Sequence, residues 1–148
     1  MYDSKFATHF TRWANRALMV IMVALAATLP LLLNWYTGFR DLSGRQWWAI
    51  CITFYCCAVV TAPALWFIDR LLGNILQQQV FTWQNVSLLR RIRWCCGGVC
   101  LLCVAPSFVY IPLVFLFMIM GFLCLAVSVL VQVMKAAVAI REENDLTI

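Results

Sequence analysis

The chain has 148 residues and a formal net charge of +5; 65% of its residues are hydrophobic and only 11% are charged. A soluble domain is closer to half apolar and a quarter charged, so this composition is typical of membrane proteins and excludes a soluble enzyme. At this length the chain forms one domain with at most four or five membrane-spanning helices of about 20 residues each, which also excludes a large single-chain transporter.

The first segment, residues 1–16, predicts an amphipathic helix at the membrane surface. Its aromatic residues share one helical face and its basic residues Lys5, Arg12 and Arg16 share another. Such a helix lies in the inner head-group layer with its cations towards anionic lipid. We therefore expect an interfacial helix whose three basic residues face lipid, with partner binding or nucleic-acid binding by the same face as the alternatives.

Three intervals without charged residues predict the membrane-spanning segments: Ala17–Phe39, Gln46–Ile68 and Trp94–Met134. The first two intervals each fit one helix across a hydrocarbon core of about 30 Å. The third interval is about twice as long, and Pro106 and Pro112 near its middle disfavour one straight helix. The sequence thus predicts an all-α membrane protein with four transmembrane helices, near 17–36, 47–68, 94–110 and 113–134.

The distribution of Lys and Arg predicts the orientation of these helices. Of the 11 basic residues, only Arg40 and Arg45 lie on the side opposite to the termini. The excess on the other side places both termini, the 69–93 loop and the 135–148 tail in the cytoplasm. The positive charge is therefore a topology signal, and we expect no direct contact with nucleic acid.

The 69–93 loop contains a helix start signal. Thr82 is the expected N-cap, and Asn85 three residues later is its expected capping-box partner. The third helix should then begin one to three turns before the bilayer. Its arginines lie at the level of the lipid head groups: Arg90, Arg91 and Arg93.

The end of the chain, residues 141–148, is acidic. The fourth helix is expected to continue to about Glu143 and to end at Asn144. The acidic tail below the arginines suggests pairing between the two groups. Exposed pairs contribute only about 0–1 kcal/mol each, so this pairing would dock the tail rather than stabilise the protein.

Two stretches resemble one bacterial family. Phe81-Thr82-x-x-Asn85-Val86-x-x-Leu89-Arg90-Arg91-Ile92 resembles the "PFT-x-E-N-V-x-x-L-R" loop of the domain-of-unknown-function (DUF) 2975 membrane proteins, and Glu142-Glu143-Asn144-Asp145-Leu146-Thr147-Ile148 is similar to the terminal "E-x-x-D-L-T-I" of that family. The resemblance covers essentially the whole chain. It implies a multi-pass protein of the bacterial inner membrane without established enzymatic activity. Family members are often encoded beside a small helix-turn-helix protein, which implies a membrane protein that holds or modulates a DNA-binding partner.

The predicted membrane interior lacks the groups that most membrane enzymes and transporters need. No Asp, Glu, Lys or Arg lies inside a predicted span, whereas proton-coupled transporters and many membrane proteases depend on such residues. The sequence also has no G-x-S-x-G motif, no H-E-x-x-H motif and no phosphate-binding glycine loop. We therefore expect no catalytic residue, no enzymatic activity and no cofactor.

The eight cysteines are the most distinctive chemical feature. If the second and third spans are antiparallel neighbours, Cys56, Cys57, Cys100 and Cys103 lie at a similar depth. Their thiolates could bind a soft ion such as Cu(I) or Hg(II), which gives the alternative function of a heavy-metal transporter or sensor. The simpler interpretation is that buried free cysteines pack as small, inert hydrophobic residues.

The leading hypothesis is a non-enzymatic protein whose cytoplasmic loop and tail bind a protein partner, such as the small helix-turn-helix regulator. The arginines would anchor the loop to head groups or to the tail, and the acidic residues would contact a basic partner surface. The expected partner-binding residues are Arg90, Arg91, Arg93, Glu142, Glu143, Asn144, Asp145 and Leu146. An accessory subunit of a larger membrane complex is a third hypothesis, and a homo-oligomer stays open.

Overall fold

The computed structural model describes residues 2–39 and 43–147 and is all-helical there. Its helices are α1 (Tyr2–Thr37), α2 (Gly44–Leu76), α3 (Trp83–Ser107) and α4 (Pro112–Leu146). The predicted all-α class is confirmed. Three residues that enter the predictions above lie outside the description, in whole or for their side chain: Arg40, Ile148 and the side chain of Lys5.

Helix α1 is continuous, and this corrects the prediction of a separate interfacial helix over residues 1–16. The helix has no break between Arg16 and Ala17. The physical reason is that its first half packs along α2: the buried Asn15 donates a hydrogen bond of 3.0 Å from Nδ2 to the carbonyl of Leu65. Residues that bind the neighbouring helix in this way extend the first span instead of turning away from it.

The proline-rich segment between the last two helices is a turn, as predicted. Pro106 lies in the last turn of α3, and Pro112 is the first residue of α4. Proline has no N–H to donate and its ring clashes with the preceding helical turn, whereas the first helical position needs no donor. The two prolines therefore end one helix and start the next, which confirms the predicted hairpin.

The helices pack in the order of the chain. Among the described residues, α1 packs against α2, α2 against α3 and α3 against α4, each pair antiparallel, and no other two helices pack together. The molecule is thus an open row of helices. We call the end that contains residues 77–82 the loop end; the N-terminus of α1 and the C-terminus of α4 lie there too.

Three helices, α1, α2 and α4, are long and apolar enough to cross a membrane. Their outer faces expose large apolar side chains such as Val20, Phe115 and Phe122, as expected of surfaces in contact with lipid. Helix α3 is not in this group. It carries three arginines, and its charge-free part, Trp94–Ser107, is about 20 Å long against a hydrocarbon core of about 30 Å.

The most buried part of the protein is the first half of α3. Asn85, Val86, Leu89 and Ile92 are each at most 5% exposed. Val86 and Leu89 form one core cluster with Val131 and Val138 of α4, and Leu71 of α2 packs against it. These positions recur on one face of α3, so the loop end has a packed core, although most large apolar side chains of the described residues are exposed.

Candidate interaction surface at the loop end

Helix α2 ends in a hydrogen-bonded turn that sets the direction of the loop. The N–H of Gln78 bonds the carbonyl of Ile75 at 3.0 Å, and the N–H of Gln79 bonds the carbonyl of Asn74 at 3.1 Å. These two bonds define a Schellman motif, which requires a left-handed residue after the helix. Gln78 is that residue, with φ of 60°, and it is the one non-glycine residue with positive φ in the described ranges.

Asn85 joins this turn to α3. Its Nδ2 donates to the carbonyls of Gln79 at 2.7 Å and Val80 at 2.8 Å, and its Oδ1 accepts a hydrogen bond of 2.8 Å from Asn74 Nδ2. The side chain is completely buried. Both amide hydrogens and the oxygen are therefore used, and the loop is held rigidly between α2 and α3.

The same geometry corrects the predicted capping box. Thr82 is the N-cap residue of α3, as expected from its position, but its side chain makes no capping hydrogen bond. The Thr82 hydroxyl is buried without a hydrogen-bond partner in the described part of the chain. The Asn85 side chain does not bond back to Thr82, because its amide is already bonded to two loop carbonyls and to the side chain of Asn74. The bond between the two residues is a backbone one, from the N–H of Asn85 to the carbonyl of Thr82 at 3.1 Å.

The C-terminal tail docks on the start of α3. The indole Nε1 of Trp83 donates a hydrogen bond of 2.6 Å to Glu142 Oε1, across 59 residues of sequence. Helix α4 continues to Leu146, two residues beyond the predicted end at Asn144. Thr147 closes the helix, because its hydroxyl bonds the carbonyls of Glu143 and Asn144.

Two cavities lie near this contact and share Arg141 in their lining. The more polar cavity, of about 500 Å³, includes Gln78, Trp83 and Gln84 in its lining. The apolar one, of about 380 Å³, is lined by Phe81, Ala137, Ile140, Arg141 and Asn144. We call residues 78–84 and 137–145 together the loop–tail surface. Sequence reasoning missed its aromatic and apolar members; two aromatic residues in a polar loop were the signal that could have indicated them.

The predicted arginines lie close to this surface but do not pair with the tail. Arg91 lies over the ring of Phe67 at 5.6 Å, and Arg93 over the ring of Trp94 at 5.8 Å. In residues 2–39 and 43–147, no ion pair joins Arg90, Arg91 or Arg93 to a tail carboxylate. The predicted pairing is not formed. The carboxylate of Glu142 accepts its hydrogen bond from the indole of Trp83 and not from an arginine.

Two of the three basic residues of α1 that were expected to face lipid, Arg12 and Arg16, reach α2. The Nε atoms of Arg12 and Arg16 lie 3.3 Å and 3.2 Å from Asp69 Oδ1. Arg12 is half-buried and Arg16 is exposed. The salt bridges connect the first half of α1 to α2. Of the two arginines, only Arg16 keeps most of its side chain exposed.

The four cysteines of the metal hypothesis do not converge. Cys57 Sγ and Cys103 Sγ lie 3.9 Å apart between α2 and α3. Cys56, however, is exposed, and Cys100 Sγ faces the carbonyl of Phe117 on α4 at 3.8 Å. No group of three or more potential metal-ligating side chains occurs in the described residues.

Two thiols, those of Cys100 and Cys124, fill space between α3 and α4. A Cβ added at Gly97 would lie 3.8 Å from Cys124 Sγ, and one added at Gly121 would lie 3.8 Å from Cys100 Sγ. Each helix therefore places a cysteine opposite a glycine of the other. Small residues at such a seam let two helices approach closely in a membrane, where van der Waals packing is the main attraction between helices.

Comparison with known proteins gives one family. Residues 5–148 match the model of the family described as protein of unknown function (DUF2975). No curated protein and no solved structure matches the chain.

Proposed function

Because the chain belongs to the DUF2975 family, we propose that it is a non-enzymatic protein of the bacterial inner membrane whose loop–tail surface binds and modulates a protein partner. The observation that carries the proposal is the contact between the two stretches that resemble the family. Trp83 lies within the first stretch and Glu142 begins the second, and a hydrogen bond joins them. Two stretches that are distant in sequence and meet on a rigid support are suited to recognition, since they lose little conformational entropy on binding.

The proposal includes four transmembrane helices with the loop and both termini in the cytoplasm. The contacts of α3 support a full crossing: Cys103 meets Cys57 of α2, and Gly97 lies opposite Cys124 of α4. Helix α3 is therefore packed beside the apolar parts of both neighbours. The basic residues at the loop end support its cytoplasmic location, since Lys and Arg are enriched on that side of membrane proteins.

The charges of the surface favour a basic partner. Glu143 and Asp145 are exposed, and both salt bridges of the described residues involve Asp69, so neither carboxylate is paired there. The DNA-binding face of a small helix-turn-helix regulator is basic and would match these carboxylates. Binding at the membrane would then keep that face from DNA.

Copurification tests this proposal. The tagged full-length chain is coexpressed with the helix-turn-helix protein encoded beside its gene, and the complex is purified in detergent. Glu143→Gln with Asp145→Gln should weaken binding about 3- to 10-fold, since each exposed pair contributes up to about 1 kcal/mol. Glu143→Asp with Asp145→Glu, which keeps both negative charges, is the matched control. Equal recovery with the double variant, or a gene neighbourhood without such a regulator, contradicts the proposal.

The heavy-metal alternative has one supporting observation, the Cys57–Cys103 contact at 3.9 Å. Two thiols can bind a soft cation such as Hg(II) or Cu(I) by releasing their protons. Cys57→Ala with Cys103→Ala should then remove the tightest Hg(II) site of the purified chain, whereas Cys56→Ala, next in sequence but exposed, should not. Equal binding by both variants contradicts this function.

A further inference from the structure

A polar cavity of about 400 Å³ lies between the last turns of α2 and the first turns of α3. It shares Gln84 with the more polar cavity of the loop–tail surface, and its other lining residues are different. Its lining residues are Arg70, Asn74, Gln84, Ser87, Leu88 and Arg91. Two of them are cations, three are neutral hydrogen-bonding groups and none is a carboxylate, so the cavity has a positive potential.

Each of the two arginines lies against an aromatic ring, which orients the guanidinium and leaves its positive charge in place. The guanidinium of Arg70 lies 5.0 Å from the ring centre of Trp66, and that of Arg91 lies 5.6 Å from the ring centre of Phe67. Aromatic faces orient a cation without cancelling its charge. The nearest acid along the chain, Asp69, is bound by two arginines of α1. In the described ranges, neither cavity arginine has a carboxylate within ion-pair distance.

Of the other four lining residues, two are held in place by packing or a hydrogen bond, and two have exposed polar side chains. Leu88 is buried, and Asn74 is held by its hydrogen bond to Asn85. Gln84 and Ser87 lie in the first two turns of α3 and are exposed. The positive end of the α3 dipole adds to the field of the arginines at this place.

We propose that this cavity binds a phosphate group. Arginine presents a planar set of donors that matches two phosphate oxygens, and two arginines beside a hydroxyl and two amides can satisfy the remaining oxygens. The phosphate can come from the head group of an anionic phospholipid or from a free phosphate compound. The inference does not depend on partner binding, because none of the proposed partner-contacting carboxylates lines the cavity.

The test measures binding to the purified full-length chain in a neutral detergent, by native mass spectrometry and by titration. The probes are a short-chain phosphatidic acid, phosphatidylcholine with the same chains, and inorganic phosphate. Phosphatidic acid should bind at least about 10-fold more tightly than phosphatidylcholine. Arg70→Gln with Arg91→Gln should remove that difference, since charge-assisted hydrogen bonds are the strong ones.

Two further variants separate the cavity from general charge and from folding. Arg90→Gln is the matched control: it removes one charge from the same exposed part of α3 but does not line the cavity, so binding should be unchanged. Ser87→Glu places a carboxylate in the cavity at an exposed position and should weaken binding about 10-fold by repulsion, with the fold unaffected.

The outcomes are decisive in either direction. Competition by inorganic phosphate identifies phosphate itself as the ligand, and binding of phosphatidic acid alone identifies the lipid head group; both support the cavity. The proposal is overturned if neither phosphate probe binds better than phosphatidylcholine, or if Arg90→Gln weakens binding as much as the double variant Arg70→Gln with Arg91→Gln.

Discussion

At the scale of single residues, the family-like stretch of α3 is mainly a folding signal. Asn85 saturates its amide with three hydrogen bonds to the end of α2 and the loop, and Val86 and Leu89 fill the core beside it. Arg90 and Arg91, between these positions, are exposed. Within one short motif, helical periodicity thus separates the residues that hold the loop end together from those that remain exposed on its surface.

Replacing Asn85 by Ala should destabilise the protein by about 2 kcal/mol or more, because it leaves two carbonyls and one amide unpaired in a buried place. The measurement is thermal or denaturant unfolding of the purified chain in detergent. Gln84→Ala, one position earlier and exposed, should change the free energy of unfolding by less than about 0.5 kcal/mol. Similar effects of both changes would show that the amide network is not formed.

Replacing Gln78 by Gly should stabilise the protein by about 0.5–1 kcal/mol, because Gln78 has the left-handed φ of 60° that glycine adopts without steric cost. Gln77→Gly is the matched control, since Gln77 has φ of −82° and gains nothing from glycine. Its unfolding free energy should fall or stay unchanged. A stabilising effect at both positions would contradict the assigned turn.

At the scale of elements, α3 has two different halves. The half near the loop end is buried among polar and apolar groups, while the other half packs through small residues against α4. Gly97 opposite Cys124 and Cys100 opposite Gly121 form a reciprocal seam. The thiols at this seam act as packing groups, and their size matters more than their chemistry.

The size limit at this seam can be tested at Gly121. A methyl group there would meet Cys100 Sγ at 3.8 Å, an ordinary contact, so Gly121→Ala should be neutral or stabilising by up to about 1 kcal/mol. Gly121→Leu should destabilise by about 1–3 kcal/mol, because the larger side chain separates the helices. Unfolding in detergent measures both. A tolerated leucine would show that the helices do not pack closely at this point.

At the scale of the whole molecule, the open row leaves α1 and α4 as edges. Each packs against one described helix only and exposes its remaining apolar surface. Lipid covers such surfaces in a monomer, and a larger membrane complex or a second copy would cover them in an assembly. The polar groups are concentrated at the loop end, where the core, the loop–tail surface and the phosphate cavity meet.

The proposed orientation makes a direct prediction for reporter fusions. A fluorescent protein should be active, and alkaline phosphatase inactive, when fused after residue 79 or at the C-terminus, while a phosphatase fusion after residue 111 should be active. The physical reason is that α3 must cross the membrane to separate residues 79 and 111. An inactive phosphatase at residue 111 would mean that α3 does not cross, and would remove the four-span proposal.

The sequence alone determined the helical class, the presence of membrane-crossing helices, the start of α3 after Thr82 and the turn between Pro106 and Pro112. These features depend on hydropathy, charge and backbone restrictions that act over neighbouring residues, so they can be calculated along the chain. The family membership was also accessible, because two short motifs carry it.

Only the tertiary structure decided which polar groups meet. Arg12 and Arg16 bind Asp69 instead of lipid alone, Asn85 binds the end of α2 instead of capping α3, and Trp83 replaces an arginine as the partner of Glu142. Each of these contacts joins residues of different helices. A polar side chain has several possible partners of similar energy, and the relative position of the packed helices determines which of them comes within hydrogen-bond distance.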